Sequence, residues 1–148
     1  MAANLSNDSQ AIYDLLAKAQ VIALVGHSDK PERDSYRVAA YLREAGYTVY
    51  PVNPTVEQID GRQSYRKVQH IPEPVDIVDV FRGKRHIPGI VQDAIEAGAG
   101  AVWMQIELGH DEAAQTALEN GLDVVINRCI QIEHARLRVP KKEQTNRS

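Results

Sequence analysis

The chain has 148 residues, 43% of them apolar and 25% charged, with a formal net charge of −3 and a single cysteine, Cys129. That length suits one domain with its own core, the lone thiol excludes an internal disulfide and a thiolate zinc cluster, and no apolar run approaches the roughly 20 residues of a membrane span. The net value hides a division: the final RLRVPKKEQTNRS holds five basic residues and one acidic, which leaves 12 basic against 19 acidic in the first 135, a body ill suited to nucleic acid.

The N-terminal MAANLSNDSQ carries neither the basic nor the apolar block of a signal peptide, so the expected location is the cytoplasm. Asp8 or Ser9 can cap a first helix whose Ile12, Leu15, Leu16 and Ala19 share one face. Val21 to Val25 is an uninterrupted apolar run that suits a strand buried on both sides, and Gly26 ends it. A polar loop from His27 to Asp34 follows. Ser35 is placed to cap a second helix from Tyr36, with Val38, Ala39, Leu42 and Ala45 inward and Gly46 as its stop. Tyr47 to Val52 is the second strand, which completes a βαβ unit of about 30 residues.

Asn53-Pro54 stops that strand. From Thr55 to Pro74 the pattern is weak and admits no long helix, only a short strand near Gln63–Tyr65. Val75 to Phe81 is a strand interrupted by Asp76 and Asp79, and Pro88 opens a third helix with Ile87, Ile90, Val91, Ala94 and Ile95 on one stripe. Ala101 to Gln105 is the next strand, Asp111 caps a fourth helix, and Leu122 to Ile126 is the last strand. Such alternation predicts an α/β fold, a Rossmann-like, doubly wound parallel sheet in a single domain over residues 1–135. Residues 136–148 have no apolar period and are expected to form a basic, disordered tail.

In open parallel sheets ligands bind beyond the carboxyl ends of the strands. Lys30, Arg33, Arg37, Arg62, Arg66, Lys67, Arg82, Lys84, Arg85 and Arg128 all fall in segments that leave strand ends, and only Lys18 and Arg43 of the body's basic residues do not. An acidic body with its positive charge on one edge suits a small polyanion. A strand, a glycine turn and a helix start after Val25 add unpaired N–H groups to that edge. The G-x-G-x-x-G turn of dinucleotide folds is reduced here to Gly26, and the second strand ends without Asp or Glu, so NAD is disfavoured. A phosphate-cradling G-x-x-x-x-G-K-[ST] is missing too.

Gly26-His27-Ser28 with Pro31, Arg33 and Ser35-Tyr36-Arg37, then Pro51-Val52-Asn53-Pro54, Asp79-Val80-Phe81-Arg82, Trp103-Met104-Gln105 and Asn127-Arg128-Cys129 resemble the small stand-alone bacterial coenzyme A-binding proteins. These in turn are similar to the coenzyme A-binding domain of the succinyl-CoA synthetase alpha subunit. The resemblance covers about residues 10–135. It implies a Rossmann-like domain with coenzyme A at the strand ends: Gly26, His27 and Ser28 at the diphosphate, Asn53 and Pro54 on the adenosine side, Phe81 and Arg82 as the far wall, Trp103 and Gln105 along the pantetheine arm. Arg33, Ser35 and Tyr36 belong to the same motif. The synthetase's phosphohistidine loop has no counterpart here, so the resemblance implies binding of coenzyme A or a short acyl-CoA, without evident catalysis.

Several residues admit two readings. His27 can touch phosphate, act as a base, or stand exposed; Ser35 is a phosphate donor or a helix cap; Arg82 meets a phosphate or a surface carboxylate; Trp103 is core or ligand wall. Cys129 beside Arg128 suits a nucleophile or a half-buried structural thiol. An enzyme acting on an acyl-CoA thioester through Cys129 or His27 is therefore the alternative, and a nicotinamide oxidoreductase a weaker one. Asp76 and Asp79, three apart on a strand, face opposite ways, and no metal-ligand spacing is evident. A homodimer is the commonest assembly for small domains of this kind.

Overall fold

The computed structural model describes residues 2–143. In chain order the strands are β1 (Val21–Val25), β2 (Thr48–Val52), a two-residue hairpin of β3 (Gln58–Ile59) and β4 (Arg62–Gln63), β5 (Ile77–Val80), β6 (Ala101–Met104) and β7 (Asp123–Ile126). All but the hairpin pair in parallel in one sheet, with the order β2-β1-β5-β6-β7. Helices α1 (Ser9–Lys18), α2 (Asp34–Glu44) and α5 (Ile130–Arg136) cover one face, and α3 (Ile87–Glu96) and α4 (Asp111–Glu119) the other.

Every residue of β1, β5 and β6 is buried, as strands between two helical layers should be, and all but Asp79 are apolar. Ile12, Leu16, Leu24, Leu42, Trp103 and Ile130 build the core under α1, α2 and α5, while Val78, Val80, Ile87, Val91 and Met104 build the other. Asp8 caps α1 by accepting from the Ala11 N–H at 3.0 Å. At α4 the cap is His110 rather than Asp111: its Nδ1 accepts from the Ala113 N–H at 3.1 Å. Asp76 lies just before β5 and accepts from the N–H groups of Gln20 and Val21 at 2.8 and 2.9 Å, so it fixes the start of β1. Among the described residues no helix is long and apolar enough to cross a membrane.

Two expectations need correction. α5 has no counterpart in the sequence reading, because Glu133 and His134 are buried and break the apolar stripe that would announce it. The tail does not begin at residue 136: Val139 is buried in the core beneath α1 and α2, and the Lys142 N–H donates to the Ala45 carbonyl at 2.8 Å. The remainder of the tail expectation, residues 144–148, lies outside the described residues.

Both sheet edges are covered in part. Ala3 to Leu5 runs beside β7, with Asn4 bridged to Val124, and Tyr65 bridges Val52 at the end of β2. These segments take up backbone groups that would otherwise invite another strand.

Candidate functional site

Strand order reverses between β1 and β5, which opens a crevice at their carboxyl ends. Gly26 follows β1 at φ +88°, and a Cβ there would stand 2.9 Å from the Phe81 carbonyl oxygen and 3.0 Å from Arg82 Cδ. The loops leaving the two strands therefore meet at a residue where only glycine fits.

The loop after Gly26 is tied down by short polar contacts. The Ser28 N–H donates to Ser35 Oγ at 2.9 Å, and the Lys30 N–H donates to Ser28 Oγ at 3.0 Å. Asn53 Nδ2 donates to the His27 carbonyl at 2.9 Å, while its Oδ1 accepts from the Thr55 N–H and hydroxyl. Asn53 thus fastens the loop after β2 to the loop after β1. Ser35 lies inside the first turn of α2, where Arg33 holds the cap position with no side-chain hydrogen bond. This corrects its expected capping role, and it leaves the opening N–H groups of α2 without a side-chain acceptor.

These elements enclose a cleft of about 680 Å³ lined by Gly26, Ser28, Lys30, Arg33, Ser35, Asn53, Thr55, Val56, Phe81 and Arg82, together with the carboxylates of Asp29, Glu32 and Asp34. Asp34 is engaged by Arg37. Among the described residues Lys30, Arg33 and Arg82 form no ion pair. Arg82 donates to His86 Nε2 at 3.1 Å, and Arg85 donates to the same nitrogen at 3.3 Å. Burial, then the two guanidinium groups, lower the His86 pKa, in keeping with a neutral ring that accepts from both.

A second cleft of about 580 Å³ adjoins the first and shares Asp34 and Phe81 with it. Its wall includes Val38, Gln105, Ile106, Leu108, Cys129 and Ile132. Glu107 and Asn127, at φ +66° and +60°, shape the loops after β6 and β7, and the Glu107 N–H donates to Asn127 Oδ1 at 2.9 Å.

Gly26, Ser28, Arg33, Ser35, Asn53, Phe81 and Arg82 come together in the first cleft, and Gln105 with Phe81 in the second. Four expected residues do not join them. Trp103 is fully buried and its Nε1 donates to the Arg128 carbonyl at 2.7 Å, so it is core. Tyr36 packs outward and donates to Asp60. Pro54 is exposed on the turn and lines neither cleft. His27 is fully buried: its Nδ1 lies 2.8 Å from the Ser28 carbonyl and its Nε2 3.2 Å from Arg43 Nη1. A carbonyl requires the proton on Nδ1 and a guanidinium requires a lone pair on Nε2, which specifies the neutral ring. Burial pushes its pKa down to about 4, with Arg43 acting the same way and the Ser28 carbonyl opposing.

Residues absent from the expected set also line the clefts. Lys30, Thr55 and Val56 sit within two residues of expected positions, so extending each motif along its loop would have reached them. Ile106, next to Gln105, would have been reached in the same way, whereas Leu108 and Ile132 lie three residues from any expected position or motif residue and gave no such signal. Among the described residues no group of three His, Cys, Asp or Glu could hold a metal ion.

Known proteins resemble this chain in sequence and in fold. "Uncharacterized protein YneT" of Bacillus subtilis is 37% identical over 132 residues, 88% of this chain and 98% of that protein. A hypothetical protein from Pyrococcus horikoshii OT3, of known structure, matches with a TM-score of 0.86 at 44% identity, over 88% of this chain and 92% of that one. The alpha subunit of acetate–CoA ligase (ADP-forming) II of Pyrococcus furiosus is 29% identical over 141 residues, which is 85% of this chain but 30% of that subunit. Residues 20–135 match the family described as CoA binding domain, and the chain belongs to that family.

Proposed function

We propose that the chain binds coenzyme A or an acyl-CoA in the first cleft, with the diphosphate against the Gly26–Ser35 loop and the adenosine toward Asn53, Thr55 and Val56. The observation that carries this reading is the meeting of two anion-binding features. The uncapped start of α2 faces the same cleft as Lys30, Arg33 and Arg82, none of them in an ion pair among the described residues. Family membership and the likeness to an acetate–CoA ligase subunit favour coenzyme A over other phosphorylated cofactors. The chain spans under a third of that subunit, and the reading extends to binding alone. His27 has no place in it as a base, since its ring is buried away from both clefts.

Thermal denaturation with coenzyme A, acetyl-CoA, NAD and ATP, each alone, tests the proposal. A ligand at 100 times its dissociation constant adds about 2.7 kcal/mol, or roughly 5–10 °C in Tm for a chain of this size. Coenzyme A and acetyl-CoA are expected to give that shift. Arg82→Ala should reduce it more at low salt than at high. A shift with NAD and none with either CoA species would overturn the assignment.

A further inference from the structure

We infer that the second cleft holds the acyl group of an acyl-CoA, and that the chain prefers an apolar acyl chain longer than acetyl to free coenzyme A. This rests on the reading of the first cleft. Phe81 and Asp34 belong to both clefts, so a cofactor with its diphosphate at Gly26 can pass Phe81 and end in the second.

The chemistry of that end is specific. Val38, Phe81, Leu108, Ile106 and Ile132 give it an apolar side, and Asp34, Arg37, Glu107 and Gln131 also line it. Ile106 and Ile132 are 50% and 55% exposed, the large apolar side chains most open to water among the described residues, and both stand on this one cleft. Gln105 is 6% exposed, its Oε1 accepts from the Ile130 N–H at 3.2 Å, and its Nε2 has no acceptor among the described residues. A buried amide donor beside apolar side chains matches a thioester, which offers one carbonyl oxygen followed by hydrocarbon. Free coenzyme A ends in a thiol and would leave both isoleucines wet.

Two measurements on the full chain test this. The first is the affinity for coenzyme A, acetyl-CoA and hexanoyl-CoA by calorimetry. Burial is worth roughly fourfold per methylene, so hexanoyl-CoA should bind about tenfold or more tighter than acetyl-CoA even if the chain is only half covered. The second is the rate at which iodoacetamide alkylates Cys129, the chain's only cysteine and part of this wall. Hexanoyl-CoA should slow it severalfold more than acetyl-CoA, and adenosine 3′,5′-bisphosphate should leave it unchanged. Ile106→Asp should bring the hexanoyl-to-acetyl ratio close to one.

Equal affinities with Cys129 unprotected would overturn the inference while leaving the first cleft's reading intact, and would give the second cleft to a protein partner instead. A hexanoyl preference that neither protects Cys129 nor responds to Ile106→Asp would place the acyl group elsewhere and overturn it too. Binding of no CoA species would defeat both readings.

Discussion

Protonating His27 would cost its contact with Arg43 and add a repulsion in its place, because Nε2 would lose its lone pair and a second positive charge would sit beside the guanidinium. The unfolded chain takes up that proton near the ordinary value of 6.5, whereas the folded chain resists until about 4. Stability should therefore fall as pH drops through that interval, by on the order of 2 kcal/mol. Asp79 works in the opposite sense. It is fully buried, neither carboxyl oxygen has a partner among the described residues, and burial raises its pKa well above the usual carboxylate range. Its contribution is complete below the unfolded value and is lost as pH rises toward the folded one. Between pH 4 and 6.5 the two slopes oppose each other. His27→Asn, whose amide nitrogen can replace Nδ1, should weaken the rise of stability with pH over that interval, with the lowered pKa values of His86 and His134 still acting in the same sense. Asp79→Asn should leave a stability that rises with pH and should raise stability at pH 7. Urea melts across that range measure both, and three coincident pH profiles would contradict this account. The buried state of His27 was not legible in a polar loop, since it depends on Arg43 reaching back from α2 and on Asn53 holding the His27 carbonyl from another strand.

At the level of elements, the strands of the main sheet were legible because each is a short, mostly apolar run closed by glycine or by a polar turn, and the observed limits coincide with the expected ones at both ends of β1 and differ elsewhere by at most two residues. Helix α2 begins at Asp34, and Ser35 serves the preceding loop instead of its own helix. The C-terminal segment hid its role, since residues 137–142 have too few apolar positions for a period yet cross the α2–β2 turn. Val139 is buried, Lys142 Nζ donates to the Ala17 carbonyl at 2.6 Å and lies 5.1 Å from the Tyr47 ring centroid, and a Cβ on Gly46 would stand 2.5 Å from the Lys142 carbonyl oxygen. A chain ending at Arg138 should accordingly lose about 2–3 kcal/mol of stability, through the opened Val139 site and the lost hydrogen bonds. An unchanged urea midpoint would show that the strap contributes nothing.

Across the whole molecule, topology decides which cations meet. Parallel strands all end at the carboxyl edge, where the order β2-β1-β5-β6-β7 opens the crevice beside Gly26 and Lys30, Arg33 and Arg82 line it, while Arg62, Lys84 and Arg128 line other surfaces. The α/β class was readable from alternation, but the strand order was not, because pairing β5 to β1 is a long-range choice that no local pattern records. Nor was the second cleft, which exists only once α5 folds back beside α2. With both sheet edges partly covered, we propose that any homodimer forms through helical or loop faces rather than by strand addition.

The most direct test is a crystal structure of the chain grown with coenzyme A. The account predicts the diphosphate within hydrogen-bond reach of the Ser28–Ser35 loop and the opening turn of α2, with Arg82 beside it and the pantetheine running past Phe81. Ordered ligand at any other place on the molecule, or an empty first cleft at saturating coenzyme A, would contradict it.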